Sequence, residues 1–341
     1  FFSTMLGIEK FMTPTKKSAQ TNNSEAKVDA KEKNTSYTYL KPIFIYGTPL
    51  FLVIIFLKLY QLANPKFEEY TQFLSLEFIE WSFIGIYALL SVFLYGIYIY
   101  NSHNTSEGWD LNRKNVIDRN YTDSFQTKIG IETEQKMASI LLITLNLLLI
   151  AFLCVDGITL FSTHIDAELT HSQNVHQGIN VLITSILLVI LIVGFMYRGS
   201  LNFTKNKSNL YLTLSWLVLN IVMTIFNSFK NFNYINEWGL THKRIGVFIY
   251  LGLCIIGLVF TLYKVLNTKS FVFLIRRVSF SFVALLVGYS IVNWNHIIIT
   301  YNLNERHFNT TKIDLHYNYS LGYSTYPELI IYLKNHPKAD E

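Results

Sequence analysis

Charged residues are scarce in this chain: Asp, Glu, Lys and Arg make up 15% of its 341 residues, where a soluble domain carries about 25%. Together with 51% hydrophobic and 16% aromatic residues and a positive mean hydropathy, that shortage excludes an ordinary soluble fold. Cysteine is nearly missing. The two copies, Cys154 and Cys254, both lie inside apolar runs, so they read as small hydrophobes and no disulfide framework is available. Of six prolines only Pro49 falls well inside an apolar run, and no internal repeat is visible, which speaks against the broken helices of a transporter. No Gly-rich phosphate loop, Gly-x-Ser-x-Gly elbow, kinase set, Cys-x-x-Cys pair or His-Glu-x-x-His helix occurs, so the soluble enzyme classes built on them are excluded. The formal charge of +5 comes from scattered basic residues rather than one basic face, and a nucleic-acid partner is not expected.

What the chain does have is long apolar runs. Seven are long enough to cross hydrocarbon about 30 Å thick at 1.5 Å per residue: Ile43 to Ala63, Phe78 to Tyr100, Ala138 to Phe161, Gly178 to Tyr197, Leu210 to Phe229, Ile245 to Leu266 and Val278 to Thr300. None alternates with period two, so the fold class is all-α, a polytopic helical membrane protein with about seven spans. Residues 1–41 form an amino-terminal segment rich in Lys, Ser, Asn and Glu that reads as a flexible linker. Residues 42–300 form the helical domain, with a mixed-charge loop at 101–137 in which Glu132 and Lys136 are spaced as a helical ion pair. Residues 301–341 are a tail in which "TYPELIIYLKNHP" has a helical apolar stripe. The first residues do not begin with Met and carry no signal-peptide pattern, so a natural start upstream is expected.

Alternate loops differ in basic residues, 19 of the 28 falling in one set, counting Lys264 at the end of the sixth run, and 8 in the other, with Lys58 inside the first run. Basic loops stay on the cytoplasmic side, so the amino terminus and the 101–137 loop are expected inside and the tail outside. The stretch "THIDAELTHSQNVHQGIN" then lacks Lys and Arg because it is an external loop. Trp81, Tyr98, Tyr100, Tyr197, Tyr211, Trp238 and Trp294 fall where rings that are wet at one end are expected. Lys58 reads as a snorkelling structural residue.

His164, Asp166, Glu168, His171 and His176 are of metal-ligating types, but His171 and His176 are five apart, which does not put both on one helical face, and no metal is expected. The polar residues that fall inside or against the spans are more informative, because their cost in hydrocarbon drives them toward other helices or a cavity. The topology places Asp156, His176, Asn227, Asn231, Tyr234, Arg244, Asn293, Asn295 and His296 at one outer level. Thr213, Asn220, Thr224, Asn227 and Asn231 share one face of the fifth run. Interhelical hydrogen bonding and a ligand or ion site both fit that stripe. Within the layer, His176 is expected to point inward toward Asp156 or the "NWNH" stretch, with Arg244 compensating the Asp156 charge.

Three stretches, "VHQGINVLI", "YINEWGLTHKRIGV" and "NWNHIIITYNL", resemble a family of bacterial polytopic membrane proteins known only as a domain of unknown function. The resemblance runs from about Ala138 to Leu303 and carries His176, Gly178, Tyr234, Gly239, Leu240, Thr241, Arg244, Asn293, Tyr301 and Asn302 as motif positions. It implies further amino-terminal spans and a carboxyl extension, but no reaction and no cofactor; the Lys-, Asn- and Ile-rich composition resembles that of a low-GC bacterium, for which the membrane is expected to be the inner one. With no catalytic set in view, the expected role is a noncatalytic accessory or signal-coupling subunit that meets other membrane or periplasmic proteins in the bilayer. A permease-like transporter with a polar site near the outer face is the alternative. A metal-dependent membrane enzyme using His176 with Asp156 or His296 is the least supported.

Overall fold

The computed structural model describes residues 43–74, 115–117, 131–161, 171–197, 200–204, 207–304 and 314–335. These residues form ten α-helices: α1 Thr48–Ala63, α2 Pro65–Tyr70, α3 Ile131–Phe161, α4 His171–Met196, α5 Ser208–Trp238, α6 His242–Leu266, α7 Phe271–Ile291, α8 Trp294–Asn302, α9 Leu315–Ser320 and α10 Tyr326–Asn335. Among the described residues the only strand-like pairing is an isolated bridge between Val116 and Lys269. Six helices, α1 and α3 to α7, are long and apolar enough to cross a membrane, so the chain is a multi-pass helical membrane protein. The run Phe78 to Tyr100, the amino-terminal segment and most of the 101–137 loop lie outside the described residues.

Several boundaries differ from the hydropathy reading, each for a local reason. Helix α3 begins at Ile131 rather than Ala138, because Glu132 and Glu134 favour a helix N-terminus and add two turns that hydropathy alone scores as loop. Pro49 sits in the first turn of α1, where a missing amide costs nothing, and so breaks no span. The seventh run is two helices: α7 stops at Ile291, and the Asn293 side chain accepts from the His296 amide, capping a separate α8. Hydropathy merges them because Ile297 to Ile299 are apolar too. Tyr197 is buried rather than at a wet interface, its hydroxyl 3.1 Å from that of Thr213.

Helices α1, α3 and α5 run parallel. Tyr60 stacks on Phe152 with ring centroids 4.6 Å apart, and Phe56 meets Trp216 edge-on at 5.7 Å. At one end of the bundle Ser139 donates to Asn209 Oδ1 at 2.6 Å, and Lys264, fully buried, donates to the Tyr197 carbonyl at 2.7 Å, satisfying the C-terminus of α4. Helices α4 and α6 run the other way: Gly178, near the start of α4, lies against the Ala63 backbone at the end of α1, and Gly257 of α6 faces Ile190. Helix α7 packs on α6 and leaves Phe280 and Ile291 71% and 79% exposed, as a lipid-facing helix would.

The α1–α4 approach is backbone-limited. A Cβ added at Gly178 would lie 2.7 Å from the Ala63 carbonyl oxygen, whereas one at Gly252 meets nothing within 4 Å. Gly178→Ala is therefore expected to cost about 1–3 kcal/mol through a forced helix separation, and Gly252→Ala to be neutral or to stabilise by up to about 1 kcal/mol. Unfolding midpoints in detergent check the contrast; equal midpoints would show that α1 and α4 can part without cost.

Candidate functional site

A buried carboxylate organises the end of the bundle opposite Lys264. Asp156, on the last turns of α3, has no exposed surface. Its Oδ1 accepts from Asn64 Nδ2 at 2.8 Å and from Lys230 Nζ in an ion pair, while its Oδ2 has no partner among the described residues. Asn64 is placed by the turn between α1 and α2, where its Oδ1 caps α2 by accepting from the Lys66 and Phe67 amides at 3.0 and 3.3 Å. Both faces of one amide are thus used, the oxygen to start a helix and the nitrogen to hold Asp156. Lys230 is one-fifth exposed, so its ammonium reaches inward from the edge of the bundle.

The stripe on α5 faces the bundle interior. Thr213, Asn220, Thr224, Asn227 and Asn231 are all fully buried. Asn220 and Asn227 donate their amides to the Trp216 and Met223 carbonyls one turn back, at 2.7 and 3.0 Å, and Thr224 donates to the Asn220 carbonyl at 2.7 Å. Asn231 instead crosses to α6, donating to the Arg244 carbonyl at 3.0 Å. The side-chain oxygens of Asn220, Asn227 and Asn231 have no partner among the described residues.

Arg244 does not compensate Asp156. Its guanidinium donates to the Trp238 carbonyl at 2.7 Å and to the Gly239 carbonyl, and lies 4.2 Å from the Tyr234 ring centroid. It closes the C-terminus of α5, where Gly239 adopts φ 80° and the Thr241 hydroxyl caps α6. The charge that balances Asp156 is Lys230, which the sequence reading passed over together with Asn64. The His176 side chain, along with His164, Asp166 and Glu168, lies outside what is described; only its backbone is, in the first turns of α4. No group of three or more His, Cys, Asp or Glu suited to a metal occurs among the described residues.

Asn293, Asn295 and His296 belong to a cap rather than to a span. Helices α8, α9 and α10 fold over the α5–α6 turn. Asn302 accepts from the Leu240 amide at 2.7 Å and donates back to the Leu240 carbonyl at 3.0 Å and to Asn318 Oδ1 at 2.9 Å. His242 Nε2 lies 2.7 Å from Asn295 Oδ1, and Asn295 donates to the Leu321 carbonyl at 2.8 Å. The His242 amide donates to the Tyr317 hydroxyl at 3.0 Å, and burial pushes that phenol above its ordinary value, so it stays neutral. His296 Nδ1 faces Glu328 at 3.3 Å, and Ile298, Ile299, Leu321 and Leu329 form the small apolar core beneath.

An all-helical bundle of membrane-spanning length, with a buried carboxylate paired to a lysine from its edge and an amide stripe facing its interior, defines an integral membrane protein. The family model described as Domain of unknown function (DUF4153) matches residues 11–332. The chain belongs to that family. No curated protein and no solved structure matches it.

Proposed function

We propose that this chain is a noncatalytic accessory or signal-coupling subunit of a bacterial inner-membrane complex, with its tail cap on the periplasmic side. The observation that carries this reading is the cap's attachment. Asn302, Asn295 and Tyr317 are bonded to Leu240 and His242 of the α5–α6 turn. Helix α5 carries Lys230, so a partner that moves the cap acts directly on the helix holding the buried pair. Ile330 and Ile331 of α10 are exposed apolar residues on the cap's outer side, where a protein partner would seat. Purification of the native chain in mild detergent tests the reading. A stoichiometric companion that is lost on Ile331→Glu supports it; a homogeneous lone chain with unchanged behaviour in that variant overturns it. The α5 stripe favours the second reading, a permease-like transporter, which substrate uptake into vesicles by the lone chain would reveal.

The orientation rests on the bias of basic residues between alternate loops. In a chain with Cys154 and Cys254 replaced by Ala, Tyr323→Cys in the cap is expected to react with an impermeant maleimide in intact spheroplasts, and Lys207→Cys only after lysis. Both positions are exposed. The reverse pattern would invert the assignment of every loop.

A further inference from the structure

Helix α7 is the least buried of the six spans, and what it exposes is ordered. Arg277, Phe280, Ala284, Val287 and Ile291 recur at three- and four-residue steps, so they form one stripe along the helix, and all five are exposed. Ala284 and its neighbour Gly288, where an added Cβ would meet nothing within 4 Å, keep the middle of the stripe shallow. A single cation thus heads an apolar, lipid-facing stripe about 21 Å long at 1.5 Å per residue, longer than the roughly 15 Å of hydrocarbon in one leaflet. The Arg277 guanidinium leans back one turn toward the helix N-terminus, its carbon 5.6 Å from the Phe273 ring centroid. Lys269, half-buried, stands just before that terminus, which Ser270 caps by accepting from the Phe273 amide at 3.2 Å. Arg276 is engaged elsewhere, donating to Asn115 Oδ1 at 2.9 Å. Neither Arg277 nor Lys269 meets a carboxylate among the described residues, and the sequence holds no Asp or Glu between Glu237 and Glu305.

We infer that this end of α7 binds an anionic phospholipid, with its phosphate held by Arg277 and Lys269 and an acyl chain laid along Phe280, Ala284, Val287 and Ile291. Charge and shape choose the occupant together. An arginine that merely snorkels out of hydrocarbon needs no second cation beside it, whereas two cations without a carboxylate, next to the positive end of a helix dipole, favour an anion. A free phosphate would leave the apolar stripe unused, and a protein helix seated on the stripe would have to bring its own carboxylate to Arg277. A phospholipid supplies the anion and the apolar chain in one molecule, and a guanidinium matches the phosphate oxygens in pairs. The site goes beyond the accessory-subunit reading and holds equally for a permease, since it concerns what covers α7 rather than what the chain serves.

Native mass spectrometry of the purified full chain, released from a neutral detergent and titrated with dioleoyl phosphatidylglycerol or dioleoyl phosphatidylcholine, tests the site. The first phosphatidylglycerol is expected to bind more tightly than phosphatidylcholine by about fivefold for each basic residue engaged, the equivalent of about 1 kcal/mol. Arg277→Ala should lower its affinity about fivefold, and Arg277→Ala with Lys269→Gln about twenty-fivefold. Lys243→Ala, which removes the same charge from an exposed position at the other end of α6, should change nothing. Arg277→Lys keeps the charge and should retain most of the preference, and inorganic phosphate at the same concentration should not displace the lipid. Equal affinity for the two lipids, or a preference that survives the double variant, would overturn the site and assign the α7 face to a protein surface or to lipid of any kind. An equal loss in Lys243→Ala would overturn it too, by showing that only net charge is sensed, as would displacement by inorganic phosphate, which needs no lipid. Should Arg277→Ala fail to fold, Lys269→Gln against Lys243→Ala still decides.

Discussion

Lys230→Met is expected to destabilise the folded chain by about 2–4 kcal/mol. Removing one partner of a buried ion pair costs about 3–5 kcal/mol, because the other charge is left without compensation in a medium that solvates it poorly. The lower range applies because Lys230 is partly exposed and water can follow the vacated path, and because Asn64 still donates to Asp156. The double substitution Asp156→Asn with Lys230→Met should recover most of the loss, since a neutral amide keeps the bond from Asn64 and leaves no charge behind. The readout is the detergent unfolding midpoint of the four chains of the cycle. If the double variant is no better than Lys230→Met alone, the damage comes from lost packing rather than from an unpaired carboxylate.

The sequence already places Asp156 near the end of its span and the α5 stripe on one face, which is buried, and apolar run length finds the six described spans to within a few residues at most ends. Depth does not set direction, and there the sequence reading went astray. Arg244 and Lys230 both lie near the Asp156 end of the bundle, and only Arg244 was offered as its partner. Side chains on a helix lean toward its N-terminus. Helix α5 arrives at that end, so Lys230 leans back into the bundle, onto Asp156. Helix α6 departs from it, so Arg244 leans outward, onto the carbonyls of Trp238 and Gly239. The choice was therefore written in helix polarity once the topology was drawn. The division of the last run was written in a cap, Asn293, that a hydropathy window averages away. Asn64 left a fainter signal: an Asn-Pro step after an apolar run announces a helix start, yet nothing in it says that the spare amide nitrogen will meet Asp156.

Asn302→Leu is expected to free the cap while leaving the spans folded. The side chain is 6% exposed and makes three bonds, two of them a reciprocal pair with the Leu240 backbone at 2.7 and 3.0 Å. Leucine fills the space but strands the Leu240 amide and carbonyl and the Asn318 oxygen, which accepts the third bond at 2.9 Å. Each stranded buried group costs about 1–3 kcal/mol. Water reaches the rim of so small a cap, so a net loss of about 3 kcal/mol is the reasonable figure, or a little over a hundredfold in the cap's opening equilibrium. The described cap residues, 294–304 and 314–335, should therefore exchange amide hydrogens about a hundredfold faster, while the core of α3 around Leu145, Leu149 and Phe152, whose side chains are buried in the main cluster, keeps its native protection. Asn302→Asp separates the contributions, since a carboxylate still accepts from the Leu240 amide but donates nothing to the Leu240 carbonyl or to Asn318, and an intermediate acceleration is expected. Exchange that rises equally across α3 and the cap would mean that the cap and the bundle open together, and that Asn302 is a keystone of the whole fold rather than a latch between its parts.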